Sequence, residues 1–588
     1  MSALRYSHKV SILFIGVGAL ILAFPMLIYG PSPGGHDASE HLAFDRHFSE
    51  QFWAGEPYPT WLIGMNHGLG SPSLFVYPPL ESYMYAFTEP ISTVFGLDAA
   101  KVPALLALFA SGICSFLWLD TFCTRQIALG VALLYMLMPY HLAVDFYHRT
   151  ALPECWALAW MPLVLFFTAR IVNERKGAIL GFAVAQALLI LSHPTSALIF
   201  SVVPIGAALV FASRKRRLPV VWRVVEGMIL GAGLCSFYLI PAFAYARYFP
   251  LDKYLFPVST FLIGPRNLFL DRGFGHTVAI TALDTLVVCM LGGVAVLLNG
   301  AQESKKAVCY WLGICASVAL MMSSLSEPLW ARWHVLLLTV QYQYRLNIVL
   351  CLAAAAILGI FLGQKVWTYR TGAFLTAIVG LVVGTWAYSY WKVWDGYLDA
   401  SARGYKMSRE DGQFADDGLF LGWSVSGLDE GRALQASAGP RVRFSVASGT
   451  TRIFAWAPRH IEFEAASADG GQVIVSQFYY PLWRAILSGS GELLKTDAAM
   501  PEGLVEVRVP PGQAKVALEI GVGPAEIAGR WTSATSVLLA VSLLLYMWRG
   551  KGRHKLRETV ALEAGPTASP GDNVERSDAL ANTHSHQR

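Results

Sequence analysis

The sequence predicts an α-helical polytopic membrane protein with about twelve transmembrane helices and a β-rich extracytoplasmic domain near the C-terminus. Three observations carry this. Of 588 residues, 55% are hydrophobic and only 14% are charged, against roughly 25% charged in an average soluble chain. Apolar runs long enough to cross a bilayer recur along most of the length. Residues 392–531 then change to short alternating runs separated by Gly and Pro turns. A chain this apolar would expose much of it in water, whereas lipid solvates apolar helices on every side.

The first run spans Val10–Tyr29 and follows Arg5 and Lys9. It is longer than a signal-peptide core, and Pro31, Pro33, Gly34 and Gly35 follow it. It therefore reads as an uncleaved first helix with a cytoplasmic N-terminus. Further runs cover 102–121, 126–144, 155–172, 178–192, 195–212, 222–243, 278–299, 307–323, 346–363, 372–391 and 532–548. Strict alternation places Asn173–Lys176, Arg214–Arg217, Gln302–Lys306, Gln364–Arg370 and Trp548–Arg557 on one side. That side is rich in Lys and Arg, so the positive-inside rule makes it cytoplasmic. The long connections Gly30–Lys101, Asp145–Glu154, Ala244–Thr277, Ser324–Arg345 and Trp391–Trp531 fall on the other side. Long connections in a compact protein are usually functional or are domains.

The expected organisation is a transmembrane domain over 1–391, with 30–101 as its first extracytoplasmic loop. A β-sandwich-like domain follows over 392–531, then a last span over 532–548 and a disordered cytoplasmic tail over 549–588. Within the β region, Arg441–Ser445, His460–Glu464, Val473–Gln477 and Val505–Val509 alternate in polarity. Asp469-Gly470-Gly471 and Pro510-Pro511-Gly512 punctuate them, which reads as antiparallel strands.

Several classes are excluded. The net charge of +5, from 45 basic and 40 acidic residues, is too small to imply a nucleic-acid partner. The eight cysteines form no C-x-x-C pair and lie mostly in apolar stretches, as small buried hydrophobes do. The β region has none, so no disulfide framework is expected. No P-loop, dinucleotide fingerprint, zinc spacing or nucleophile elbow falls where the topology could use it. The cytoplasmic loops are too short for a soluble nucleotide-sugar transferase domain.

The first loop opens Gly34-Gly35-His36-Asp37-Ala38-Ser39-Glu40-His41, followed by Leu42, Phe44, Phe48 and Phe52 at packing positions. Asp37, Glu40 and His41 fall at i, i+3 and i+4 on one helical face. Such a trio could hold a divalent metal or supply a general base. It could equally be a helix start, with Asp37 as an acidic first-turn residue. Arg149 and Arg345 lie near helix ends on the same side, where a planar guanidinium suits phosphate oxygens. Arg149 could instead pair with Glu154. His193 ends a helix on that side, and His148, His276 and Arg266 are further candidates. Inside the spans, Glu226 is three residues from Arg223 and reads as its pair. Asp284 is either a functional carboxylate or a packing one.

These residues also resemble a family. The pattern is His36-Asp37-x-x-x-His41, Gly55-x-x-Tyr58-Pro59-x-Trp61, Gly68-x-Gly70-x-Pro72 and Tyr77-Pro78-Pro79. It is similar to the N-terminal signature of the bacterial 6-pyruvoyl-tetrahydropterin synthase-related membrane proteins, whose layout resembles that of GT-C superfamily glycosyltransferases. Arg149-x-x-x-x-Glu154, Pro328-Leu329-Trp330 and Gln341-Tyr342-Gln343-Tyr344-Arg345 continue the likeness, with Gln343 and Tyr344 departing from the usual residues. Phe478-Tyr479-Tyr480-Pro481-Leu482-Trp483 is similar to an aromatic-Pro-x-Trp element of the family's β domain.

The resemblance implies a GT-C-like enzyme of the bacterial inner membrane, with both termini cytoplasmic. Its donor would be a sugar on a polyprenyl-phosphate carrier and its acceptor a glycan, lipid or protein. Asp37 would be the general base. His36, Glu40, His41, Tyr77, Arg149, Glu154, His193 and Arg345 would surround the substrates, with a divalent metal as the one possible cofactor. A transporter or flippase of a lipid-linked substrate would also use twelve spans, but would predict two related halves. The helix spacing contains no such repeat. A non-catalytic membrane assembly protein is the third reading.

Overall fold

The computed structural model describes residues 8–30, 35, 37–97, 99–249, 257–333, 340–364, 369–402, 435–446 and 449–563. All twelve apolar runs lie on helices. Among the described residues, ten helices are long and apolar enough to cross a membrane. They are His8–Tyr29, Lys101–Leu119, Arg125–Arg149, Leu152–Val172, Pro194–Phe211, Phe274–Asn299, Gln302–Met322, Gln343–Leu362, Tyr369–Ser401 and Pro524–Met547. The two remaining runs explain the difference from twelve. Ala178–Ser192 is a shorter apolar helix, and 222–243 falls on two helices, Arg214–Leu234 and Ser236–Tyr248, bent by 76°.

Gln343–Leu362 is the centre of the bundle, and every residue from Asn347 to Gly359 is buried. Its Ala353-Ala354-Ala355-Ala356 run lets neighbouring backbones approach closely, as small residues do between membrane helices. Phe274–Asn299, Gln302–Met322 and Arg125–Leu137 pack on it. Asp284 joins this packing, because Thr385 Oγ1 and Trp386 Nε1 donate to its carboxylate at 2.9 and 2.5 Å. Of its two readings, the packing one matches the geometry. The expected pairing of Glu226 with Arg223 gives way to a different one. Arg223 reaches Glu174 at 3.1 Å, and Arg216 pairs with the same carboxylate.

Two domain boundaries move. The helix expected to end at 391 continues to Ala402, and the first strand among the described residues is at Val442, with 403–434 outside them. The last helix runs Pro524–Glu563, so the part of the tail expected to be disordered from 549 is helical to that point. Lys, Arg, Leu and Glu there are good helix formers and extend a helix already nucleated. Residues 564–588 lie outside the described residues. Leu539–Arg588 forms a separate unit from Met1–Leu538.

The β region makes two antiparallel sheets around one apolar core. The strands are β1 (Val442–Phe444), β2 (Thr450–Ala457), β3 (His460–Ser467), β4 (Gly471–Phe478), β5 (Trp483–Leu487), β6 (Leu493–Leu494), β7 (Thr496–Ala499), β8 (Leu504–Val509) and β9 (Gly512–Ile520). The sheet orders are β1-β4-β8-β7 and β2-β3-β9-β5-β6. β3 alternates strictly between buried and half-buried positions, so Ile461, Phe463 and Ala465 face the core. The four alternating runs coincide with β1, β3, β4 and β8. Gly470 and Gly512, from the two turn signals, have φ of +70° and +94°.

This core extends into the first loop. Trp61, Leu62, Met65, Leu69, Leu74 and Phe75 are fully buried in the same cluster as the sheets. Trp61 Nε1 donates to Gln477 Oε1 at 2.7 Å, and Gln477 Nε2 donates to the Gly68 carbonyl at 2.6 Å. Gly70 sits against this contact with φ of +82°, and a Cβ there would fall 2.5 Å from Gln477 Oε1. Arg459 closes the base of the domain on Glu526, with donors at 2.9 and 3.2 Å. The aromatics of 55–80 are therefore largely part of this core. Tyr480 stacks on Phe75 at 5.3 Å, and Trp483 meets Trp61 edge-on at 5.1 Å.

Candidate active site

The helix Ala38–Trp53 begins directly after Asp37. Asp37 takes the N-cap position, but its side chain makes no capping hydrogen bond. Its Oδ2 instead accepts from Arg149 Nη2 at 3.0 Å, and its backbone N–H donates to the Arg149 carbonyl at 2.9 Å. That favours a site over a plain helix start. Gly35 permits the approach, because a Cβ there would fall 2.6 Å from Thr150 Oγ1. His36 lies outside the described residues.

Arg149 is delivered by an irregular segment. Helix Arg125–Leu137 stops at Met138, which precedes Pro139 and adopts an extended ψ of 134°. The chain resumes as a wide π-helical turn over Tyr140–Arg149 and ends at Thr150 with φ of +57°. Helix Leu152–Val172 then starts at once, bringing Glu154 back beside Arg149. Arg149 Nη1 donates to Asp145 Oδ1 at 2.8 Å and to Glu154 Oε2 at 2.7 Å. Tyr140 OH donates to the other Glu154 oxygen at 2.9 Å. Asp145 and Glu154 are buried, as is Arg149, whereas the Asp37 side chain retains 30% exposure. One arginine thus ties two buried carboxylates to one that faces open space.

Arg345 approaches from the other side. Its Nε lies 3.6 Å from Glu154 Oε2, and its Nη1 donates to Gln341 Oε1 at 2.7 Å and to the Val340 carbonyl at 3.3 Å. Gln341 has φ of +61°. Tyr344 and Tyr342 stack at 5.5 Å, Arg149 over the first ring at 5.4 Å and Arg345 over the second at 5.1 Å. The tyrosine at 344 that departs from the family pattern therefore contributes an aromatic face to Arg149.

His41 and Tyr77 form the floor beside Asp37. Tyr77 OH lies 3.3 Å from His41 Nε2, and the rings are 5.6 Å apart. Burial lowers the His41 pKa to about 4, against the opposing pull of Asp37. The imidazole is thus neutral near pH 7. Burial, with Asp37 and Glu40 adding to it, pushes the Tyr77 hydroxyl well above its usual range. Glu40 is half-buried. Among the described residues, no three His, Cys, Asp or Glu side chains gather as metal ligands. The trio Asp37, Glu40 and His41 does not converge in that way, because Asp37 turns to Arg149 and His41 to Tyr77.

His193 caps the next helix, accepting from Ser196 N at 3.2 Å. Its electrostatic neighbours include Glu154, Arg345, Arg149 and His41, so it belongs to the same cluster. His148 and His276 line a separate groove of about 730 Å³ with Tyr147, Ile280, Tyr388 and Lys392. Arg266 is not among its lining residues.

The arrangement therefore unites Asp37, His41, Tyr77, Arg149, Glu154, His193 and Arg345. It adds Asp145 and Tyr140, which the sequence did not single out, and Tyr342 and Tyr344, which it offered only as part of the family likeness. Asp145 had a signal: it is a charged residue four positions before Arg149, at the end of an apolar run. Three of the five N–H donors of Arg149 go to the carboxylates of Asp37, Asp145 and Glu154, so the pairing with Glu154 weighed from the sequence is present and two further acids join it.

Comparison with known proteins gives these results. Arabinofuranosyltransferase AftD from Mycobacteria matches at 14% identity and TM-score 0.43, over 67% of this chain and 27% of that one. Oligosaccharyltransferase AglB from Archaeoglobus fulgidus, solved with an inhibitory peptide and a dolichol-phosphate, matches at 14% and 0.37, over 68% and 56%. ArnT from Cupriavidus metallidurans matches at 15% and 0.28, over 60% and 78%. The chain thus spans about a quarter of AftD and about half of AglB. No curated protein matches the sequence. A family model described as "6-pyruvoyl-tetrahydropterin synthase related domain; membrane protein" matches residues 75–259. The resemblance of this chain to the 6-pyruvoyl-tetrahydropterin synthase-related membrane proteins holds across those residues.

Proposed function

We propose that this chain is a membrane glycosyltransferase that moves a sugar from a polyprenyl-phosphate carrier to an extracytoplasmic acceptor, with Asp37 as general base. The observation that carries the reading is the half-open Asp37 carboxylate, held by an arginine that is itself anchored by Asp145 and Glu154. A hydroxyl is a poor nucleophile, and a carboxylate fixed in one position can take its proton as the glycosidic bond forms. The acceptor oxygen bonds to the anomeric carbon, the bond from that carbon to the phosphate oxygen breaks, and the phosphate leaves with the electron pair. Arg149 holds the Asp37 carboxylate in one position, so it is a positioning residue. The cation for the leaving phosphate is then Arg345, whose guanidinium is oriented by Gln341 and Tyr342. His41, neutral near pH 7, and Tyr77 supply hydrogen bonds without adding charge. The groove beside His148 has apolar walls and a polar rim one residue from Arg149, which suits the carrier's chain.

The donor half of this reading is tested by a structure of the protein with a polyprenyl phosphate. The expected result is the phosphate at Arg345, on the side open to Asp37. A phosphate bound away from both residues would overturn it.

A further inference from the structure

The first loop holds a second pair of acids that the proposed transfer does not use. Asp45 lies on helix Ala38–Trp53, about two turns beyond Asp37. Glu81 lies in the first turn of helix Leu80–Val94, which packs against it. Both residues are buried, at 2% exposure each. Their carboxyl groups meet within hydrogen-bonding reach. Ser82 Oγ donates to Asp45 Oδ1 at 2.7 Å. The Trp156 indole N–H is the neighbouring donor to Glu81, and neither Glu81 oxygen makes a well-aligned hydrogen bond to it or to another group among the described residues.

Among the described residues, no cation pairs with either carboxyl group. On its own helix Asp45 has His41 one turn before it, and the intervening loop contributes Tyr77. Helix Leu152–Val172 contributes Glu154, Cys155 and the Trp156 indole beside Glu81. Arg149 faces His41 but is committed to Asp37, Asp145 and Glu154. Further along the same helix pair, Ser49 donates to Glu89. Two ionised carboxylates here would be buried, close and of like sign. A buried charge without a partner is costly enough that the group neutralises instead. One proton between the two removes a charge and bridges the two carboxyl groups.

We propose that Asp45 and Glu81 hold a proton between them, and that this proton pins helix Ala38–Trp53 to helix Leu80–Val94, making the position of Asp37 sensitive to pH. The consequence for Asp37 chemistry rests on the proposed transfer reaction, whereas the shared proton does not. Burial raises Asp45 to about 7 and Glu81 well above the carboxylate range, so the pair titrates as a unit from neutrality upward. Both folded values lie above the unfolded ones. The pair's contribution to stability is therefore complete in acid, below about pH 4, and is lost as pH rises through about 7. His41 runs in the opposite sense over an overlapping range, between about pH 4 and 6.5, so its slope opposes that of the pair there and the variants separate the two.

Infrared spectroscopy of the purified protein, titrated from about pH 5.5 to about pH 8.5, reads the proton directly. The wild type should show a protonated-carboxyl C=O band that weakens across this range. Glu81→Gln keeps a donor toward Asp45, so it should fold, lose most of that change, and lose the fall of its thermal midpoint with rising pH. Where Glu81→Gln does not fold, Asp45→Asn carries the same comparison. A band change and a thermal slope identical to the wild type in a folded variant would overturn the proposal. Neither measurement uses sugar transfer, so failure of the transfer reading leaves this result intact. A transfer assay over the same range then reads the link to Asp37: rate should fall with rising pH in the wild type and less so in Glu81→Gln.

Discussion

Arg149 divides its guanidinium among three carboxylates from separate segments, Asp37 before one helix, Asp145 in the π-helical turn and Glu154 in the following helix. Removing one partner of a buried charge set strands the others, at about 3–5 kcal/mol. Arg149→Ala should therefore lower stability by that order, seen as a fall in the thermal midpoint in detergent. Arg149→Lys should not restore it, because an ammonium is a point charge and cannot present a fork to several carboxylates. His41 gives a pH prediction at the same scale. Its folded pKa of about 4 lies below the unfolded value of 6.5, so its contribution is present above pH 6.5 and is lost as pH falls toward about 4. His41→Asn should flatten the acid side of the stability curve. Sequence made Asp37, Arg149 and Glu154 visible as charged residues at the ends of apolar runs. It offered Glu154 as a partner for Arg149 but did not reveal that Asp37 and Asp145 would join, because that depends on the π-helical turn and the left-handed residue Thr150.

The first loop and the β sheets behave as one element. Gln477 in β4 bridges Trp61 and the Gly68 carbonyl, and Gly70 fits beneath it at positive φ. Gly70→Ala should strain the backbone and overpack this seam, costing about 1–3 kcal/mol. Limited proteolysis should then cut faster within the β strands, between Val442 and Ile520, while the apolar helices stay intact. Equal cleavage rates would mean that the seam does not hold the domain. Strands β1, β3, β4 and β8 were legible, because alternation with period two and Gly-rich turns report on one chain segment at a time, whereas β2, β5, β6, β7 and β9 were not singled out. Their partner was not, since Trp61 and Phe75 look identical in sequence whether they face lipid or a sheet. The same limit applied to the bent pair around Cys235, where an uninterrupted apolar run conceals a 76° break.

At the scale of the whole molecule, the twelve apolar runs all became helices, but length sorted them into ten spans, one short helix and one bent pair. Hydropathy reads composition and cannot see curvature. Side assignment rests on the basic loops, and it makes a separate prediction. A cysteine at Lys215 should react with an impermeant maleimide only after the cytoplasmic face is opened, and one at Lys495 should react in intact spheroplasts. Both labelling from the same side would contradict the proposed orientation and remove Asp37 from the acceptor's compartment.

The central claim is that Asp37 takes the acceptor's proton. It is tested most directly by Asp37→Asn in a purified transfer assay, using a polyprenyl-phosphate sugar donor that the wild type accepts. Asparagine keeps the size and a hydrogen-bond acceptor but removes the base. Turnover should fall by roughly 10²–10⁴-fold, the usual contribution of a general base, while donor binding and the circular dichroism spectrum stay those of the wild type. Wild-type turnover in a folded Asp37→Asn protein would contradict the account.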